Sequence, residues 1–297
     1  MPDVWVILGM LVLSMLPAIV LGLLLFRPSR NWLNAVFIVP FQLRSHRITS
    51  ELDWEALDLS ELQANLLKHF SSTAQSFAAL GFTAVGHCKG RSDVSSTANL
   101  ERYSSVWMRP ETGDLAITHA VRDASKKSNP YRTVCAFGQH YADRTSITTT
   151  NRPSSSLPEN PHRSILHLPG LSNLPKLYEI HRTRVVREAR GRTPKLPTDV
   201  VEFLSQERLD HRDQLVNAGF HIFDSKANGY RWTWRAAFLI PYRSIWPMKQ
   251  RRIAAGRIRT DQMLKELGFG DLKSLVSTPP SLSAGTEVKV QYRSASS

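Results

Sequence analysis

Ten histidines and two cysteines make a metal centre the first chemistry to test. Zinc and its relatives need ligands at spacings that one helical turn or one hairpin can bring together. No Cys-x-x-Cys, His-Glu-x-x-His or His-x-x-x-His occurs. In extended chain His87 and Cys88 point to opposite faces, and so do Cys135 and His140. His119 shares its face with Leu115, Ile117 and Val121, the pattern of a hydrogen-bonded core histidine. No metal ligand and no cofactor is expected. Catalytic motifs are missing too: there is no Gly-x-Ser-x-Gly elbow and no glycine-rich phosphate loop. His140 and Asp143 flank an expected hairpin turn, where polar residues belong in any case. No catalytic residue is assigned.

The residues that stand out carry charge and rings rather than nucleophiles. From Ser225 to Thr260, nine cations meet no acidic residue: Lys226, Arg231, Arg235, Arg243, Lys249, Arg251, Arg252, Arg257 and Arg259. Tyr230, Trp232, Trp234, Phe238, Tyr242 and Trp246 lie between them. Rings alternating with cations suit a lipid interface, where aromatic side chains sit at headgroup level and basic ones meet anionic lipid. Each cation near such a surface is worth about 1 kcal/mol before screening. The expected ligand is the anionic headgroup. Its expected contacts are Arg231, Trp232, Trp234, Arg235, Arg243, Trp246, Lys249, Arg251, Arg252, Arg257 and Arg259. The plainer alternative makes the rings core and the cations a solvated face.

A rival reading rests on residues 198–235. A helix ending Gln214-Leu215-Val216-Asn217-Ala218-Gly219-Phe220 leads into HIFD, a turn at Lys226-Ala227-Asn228-Gly229, and YRWTW. This resembles the end of a winged-helix domain, whose recognition helix runs into a β-hairpin wing, and the resemblance implies nucleic-acid binding. The helix departs from that pattern, because Glu202, Glu207, Asp210 and Asp213 accompany only Arg208 and Arg212. Nucleic acid is the second expectation, and a membrane-tethered enzyme without a motif is the third.

The elements that must position these residues begin with a membrane anchor. Val4 to Phe26 holds 23 residues without a charge, enough to cross a hydrocarbon core of about 30 Å. A cleaved signal peptide would need a basic start, a shorter apolar run and small residues before the cut, and none of the three is present. Arg27, Arg30, Arg44 and Arg47 follow the run, with only Asp3 before it, so the body is expected on the cytoplasmic side. The expected place is a bacterial inner membrane, crossed once. The second apolar stretch, Trp32 to Phe41, is too short to span; it suits the interface or the surface of the body. The net charge of +13 agrees with an anionic partner, and the sequence names no protein partner.

The body reads as α+β. Leu59, Leu62, Leu66, Phe70, Thr73, Phe77 and Leu80 recur at helical spacing, with Asp58 and Glu61 as the expected cap pair and Gly81 as the stop. Strand patterns follow at 82–88, 100–110, 115–121, 131–141 and 145–150, with Glu111-Thr112-Gly113-Asp114 as one turn. Their short connections predict an antiparallel meander packed with helices. The expected division is an anchor at 1–30, a basic juxtamembrane segment at 31–51 and an α+β domain at 52–150. Beyond it come an irregular linker at 151–173, a basic helical section with a hairpin at 174–270, and a mostly disordered tail at 271–297.

Overall fold

In the stretch ERYSSVWMR, Tyr103, Ser105 and Trp107 share one face and Ser104 and Val106 the other, and all five are buried. A strand buried on both faces must be covered twice. The computed structural model shows how, and it describes residues 32–45, 47–49, 54–58, 60, 62, 64–91, 101–122 and 131–277. The anchor at 1–30, the cap residue Glu61, Leu59 of the stripe and residues 278–297 lie outside the described residues.

The fold is α+β, built on a seven-stranded, mostly antiparallel sheet in the order β2-β3-β4-β5-β6-β7-β8. Its strands are β2 (Trp54–Ala56), β3 (Thr83–Arg91), β4 (Glu101–Arg109), β5 (Asp114–Arg122), β6 (Tyr131–His140), β7 (Ser146–Thr150) and β8 (Arg163–His167). The first described segment is α1, a π-helical Asn34–Ile38 running into the α-helix Val39–Ser45. It leads into β1 (Arg47–Thr49), and α2 (Ala64–Ala79) follows β2. After the sheet come α3 (Leu174–Glu188) and α4 (Val200–Asn217), then the hairpin β9 (His221–Asp224) and β10 (Gly229–Trp232). The chain closes with α5 (Trp234–Ser244), α6 (Met248–Glu266) and α7 (Leu272–Ser277).

One face of the sheet is an aromatic core. Leu66, Phe70 and Phe77 of α2 are buried there as the stripe requires, and Phe77 packs against Phe82, Trp107 and Phe137. Leu177, Tyr178 and Ile180 of α3, Leu264 of α6 and Leu272 of α7 close the same cluster. The opposite face is crossed by α4, which buries Val200 and Leu204 against Cys88 and Val106. Gly86 permits that seat: a β-carbon there would lie 2.8 Å from Val200 Cγ1.

Several expectations need correction. α2 starts at Ala64, so Asp58 does not cap it; the carboxylate accepts from the Ser60 amide instead. Gly81, at φ +83°, does stop the helix. Asp114 is no turn residue: it is the first residue of β5 and has no exposed surface. The segment 151–173 contains β8, which pairs with β7 in parallel through a crossover that contains no helix. At 272–277 the expected tail forms α7. The helix and hairpin of the winged-helix resemblance are present, but the helix lies on the sheet and the hairpin takes its third strand from β1.

Candidate functional site

α5 is built to show its rings. Thr233 caps it, accepting from the Ala236 amide and donating to the Gly219 carbonyl at 2.7 Å. The only buried residues of the helix are Ala236, Ala237 and Pro241. Trp234, Phe238 and Tyr242, spaced one helical turn apart, therefore form an outward stripe, and Trp246 just past the helix is 71% exposed.

The stripe continues on a second helix. α1 lies against α5, and its Phe37 and Phe41 are 61% and 57% exposed, with Trp32 and Ile38 beside them. Phe41 meets Trp234 edge to face at 5.3 Å, and Trp234 stacks with Phe238 at 6.0 Å. Arg44 ties the helices together: one guanidinium nitrogen donates to the Trp232 carbonyl at 2.8 Å, and the group stands 5.8 Å from the Trp234 ring. Two helices thus share one exposed apolar surface; Arg235 of α5 and Lys249 and Arg251 of the following helix are exposed as well.

The eleven residues singled out by sequence do not act alike. Trp234, Arg235, Trp246, Lys249 and Arg251 reach the surface with no ion pair among the described residues, and Arg257 and Arg259 are exposed although each faces a carboxylate. Trp232 does not; it is buried, edge-on to His221 at 4.3 Å, because its side of the hairpin packs on Leu215 and Phe220. Arg231 is ion-paired with Asp224, and Arg257 lies 3.9 Å from Asp261. Arg243 and Arg252 donate to carbonyls of Ser154, Ser155 and Ser156, and Arg259 pairs with Glu159 at 2.9 Å. Those three arginines strap α5 and α6 to the crossover between β7 and β8. Phe37, Ile38 and Phe41 are exposed parts of this surface that a reading of 225–260 alone misses, although the apolar run from Trp32 signals them.

A second polar assembly lies under α3, where sequence showed only an ordinary helix. Asp114 accepts from Thr112 and Tyr178 at 2.7 and 2.8 Å and from Arg182 at 3.1 Å. Arg184, fully buried, donates to Glu188 at 3.0 Å, to the Thr148 carbonyl at 2.7 Å and to Ser164 at 2.7 Å. On the other face Glu207 of α4 holds Arg163 in a two-pronged pair at 2.7 and 3.2 Å, with His140 3.4 Å away. Burial works to raise the Glu207 carboxyl, but His140 and Arg163 outweigh it and hold the group down at about 2. These groups satisfy one another, which is what fixed structural charges do.

Among the described residues no three histidine, cysteine or acidic side chains gather to hold a metal, and no helix is long and apolar enough to cross a membrane. No family model matches the chain, and neither a curated protein nor a solved structure does.

Proposed function

We propose that this chain is a single-pass membrane protein whose cytoplasmic α+β body rests on the inner leaflet and acts as a binding or scaffold module. The observation that carries the reading is the shared surface of α1 and α5. Trp32, the first described residue, follows the 23-residue apolar run by only six positions. Starting there, α1 and α5 present one continuous aromatic face, and Arg235, Lys249 and Arg251 of α5 and α6 are exposed. An aromatic face of that extent is unusual on a surface that meets only water. Rings at headgroup depth with arginines beside them fit a bilayer surface, and the anchor would hold them at high effective concentration there. The cations attract anionic lipid while the rings supply a term that salt does not screen. The lipid contact is therefore assigned to Trp234, Phe238, Tyr242, Trp246 and α1, with Arg235, Lys249 and Arg251 as its charged margin. Trp232 and the strapped arginines leave the list.

The test uses the full chain in nanodiscs, with an environment-sensitive fluorophore on a cysteine introduced by Tyr242→Cys. Cys88 and Cys135 are buried and leave the new thiol as the reactive one. A label at Val186→Cys, an exposed position of α3, serves as the reference. The emission at 242 should shift to the blue in anionic discs and less in neutral ones, and the label at 186 should stay aqueous. If 242 is as wet as 186 in anionic discs, the surface does not meet lipid. Shielding of 242 by duplex DNA but not by lipid would put the winged-helix resemblance in its place. Orientation is read separately: a C-terminal alkaline phosphatase fusion should be inactive, and a periplasmically active one overturns the cytoplasmic assignment.

A further inference from the structure

The two faces of the sheet are covered unequally. On the aromatic side Ala116, Thr118, Ala120, Cys135 and Phe137 of β5 and β6 are all buried. On the side that α4 crosses, their neighbours Ile117, His119, Val134 and Ala136 are only half-buried, so part of this face stays open to solvent. Strand register sets a basic group on each side of the opening. Arg102 of β4 shares the face with Ser104, and His119 stands opposite Ser104, its ring 2.7 Å from the hydroxyl. Val134 lies opposite His119. One position on, Asn151 is pinned to Cys135: its amide donates to the Cys135 carbonyl, and its side-chain oxygen accepts from the Cys135 amide at 2.9 Å. Arg152 follows, its backbone fixed by the Thr150 hydroxyl and by the His167 ring.

Neither arginine has a counter-charge. Arg102 is half-buried and Arg152 exposed, and neither side chain makes a hydrogen bond or ion pair among the described residues. They oppose each other instead. Burial and the Arg152 charge lower the pKa of Arg102 from the usual arginine value, and burial with both guanidinium groups holds His119 down at about 3. His119 is therefore neutral at physiological pH. The carboxylates at the margin are taken: Glu159, which faces His167, pairs with Arg259, and Glu207, which faces His211, pairs with Arg163. Two unpaired guanidinium groups offer many donors and no acceptor. A phosphate group supplies several acceptor oxygens at once, in a geometry that matches the arginine fork. As a dianion it neutralises both charges, in a half-buried setting where the attraction is stronger than in open water.

We propose that this opening binds a phosphate group, held by Arg102 and Arg152 from opposite sides with His119 between them. Three strand spacings, about 14 Å, separate the two arginine backbones, a gap suited to two long side chains with a phosphate between them. The same group is carried by a soluble ester and by a lipid headgroup. The proposal stands independently of the membrane reading.

The full chain in neutral nanodiscs is titrated with inorganic phosphate and with glycerol 3-phosphate, against potassium chloride at matched ionic strength, following the thermal midpoint and ³¹P line width. A saturable rise in midpoint is expected for both phosphates and not for chloride. Arg102→Gln and Arg152→Gln should each weaken binding by about tenfold or more. Their unliganded midpoints should hold or rise, because each change removes a charge that opposes the other, and this separates lost binding from lost folding. Arg190→Gln, an exposed change beyond α3, should bind as the unaltered chain does. If discs containing phosphatidic acid raise the midpoint through Arg102 while the soluble phosphates do not, the site stands with the headgroup as its source. A response no greater than that to chloride in either kind of disc, or binding unchanged by both Arg102→Gln and Arg152→Gln, overturns the proposal.

Discussion

α3 and α5 use the same kinds of residue and put them to opposite uses. α3 is the more polar, yet it buries Leu177, Tyr178, Ile180, His181, Arg184 and Val185, and its inward arginines end on carboxylates and carbonyls. α5 is the more aromatic, yet it buries only two alanines and a proline, and turns Trp234, Phe238 and Tyr242 away from the core. Burial in this protein follows the available partner rather than hydrophobicity. Sheet carbonyls and Asp114 give the arginines of α3 more than water would, whereas α5 sets Ala236 in the hairpin cluster and meets only Phe41 and Arg44 of α1 at the Trp234 ring, among the described residues. A helix that buries alanine and exposes tryptophan is shaped for a second surface.

That contrast can be broken at its most buried point. Arg184→Met should destabilise the body by about 3 to 5 kcal/mol, because it strands Glu188 and the Thr148 carbonyl; urea midpoints measure it, and a loss below 1 kcal/mol would mean α3 is held by its leucines alone. Glu207→Gln extends the comparison to α4 and should cost about 2 to 3 kcal/mol at neutral pH. The Glu207 carboxyl titrates at about 2 in the folded protein and about 4.3 in the unfolded chain. Its contribution is therefore complete above the unfolded value and is lost as pH falls through the folded one. The gap between variant and parent should close between those limits, and a gap that persists at pH 2 would show that charge is not its origin. Trp246→Ala should move the midpoint by less than about 0.5 kcal/mol. A larger loss would mean that the ring is packed rather than displayed.

The meander is readable because hairpins leave local marks: alternating residues, short turns and, between β4 and β5, a glycine at positive φ. β8 left none, since a parallel partner is reached by a crossover and not by a tight turn, and this crossover carries the prolines that normally signal irregular chain. Asp114 was misread for a related reason. Glu-Thr-Gly-Asp is turn chemistry, and nothing local shows that Tyr178 and Arg182, more than sixty positions on, will cover the last of the four. For the aromatic surface, composition identified half of it. Trp232 and Trp234 are two apart and look alike in sequence, but one ends a strand that packs on Phe220 and the other begins a helix facing outward.

Arg44 grips the Trp232 carbonyl across 188 positions of chain, and β1 pairs with β10 over nearly the same distance. A contact of such long range cannot exist until almost all of the protein has left the ribosome. The strands of the sheet lie near one another in sequence and can pair while synthesis continues. α1 emerges early and waits, its phenylalanines uncovered, until the hairpin arrives to receive it. The surface assigned to the bilayer therefore assembles only after every strand of the sheet has been made, and a message truncated before Gly229 makes a chain that holds all seven of those strands but can never form its docking face.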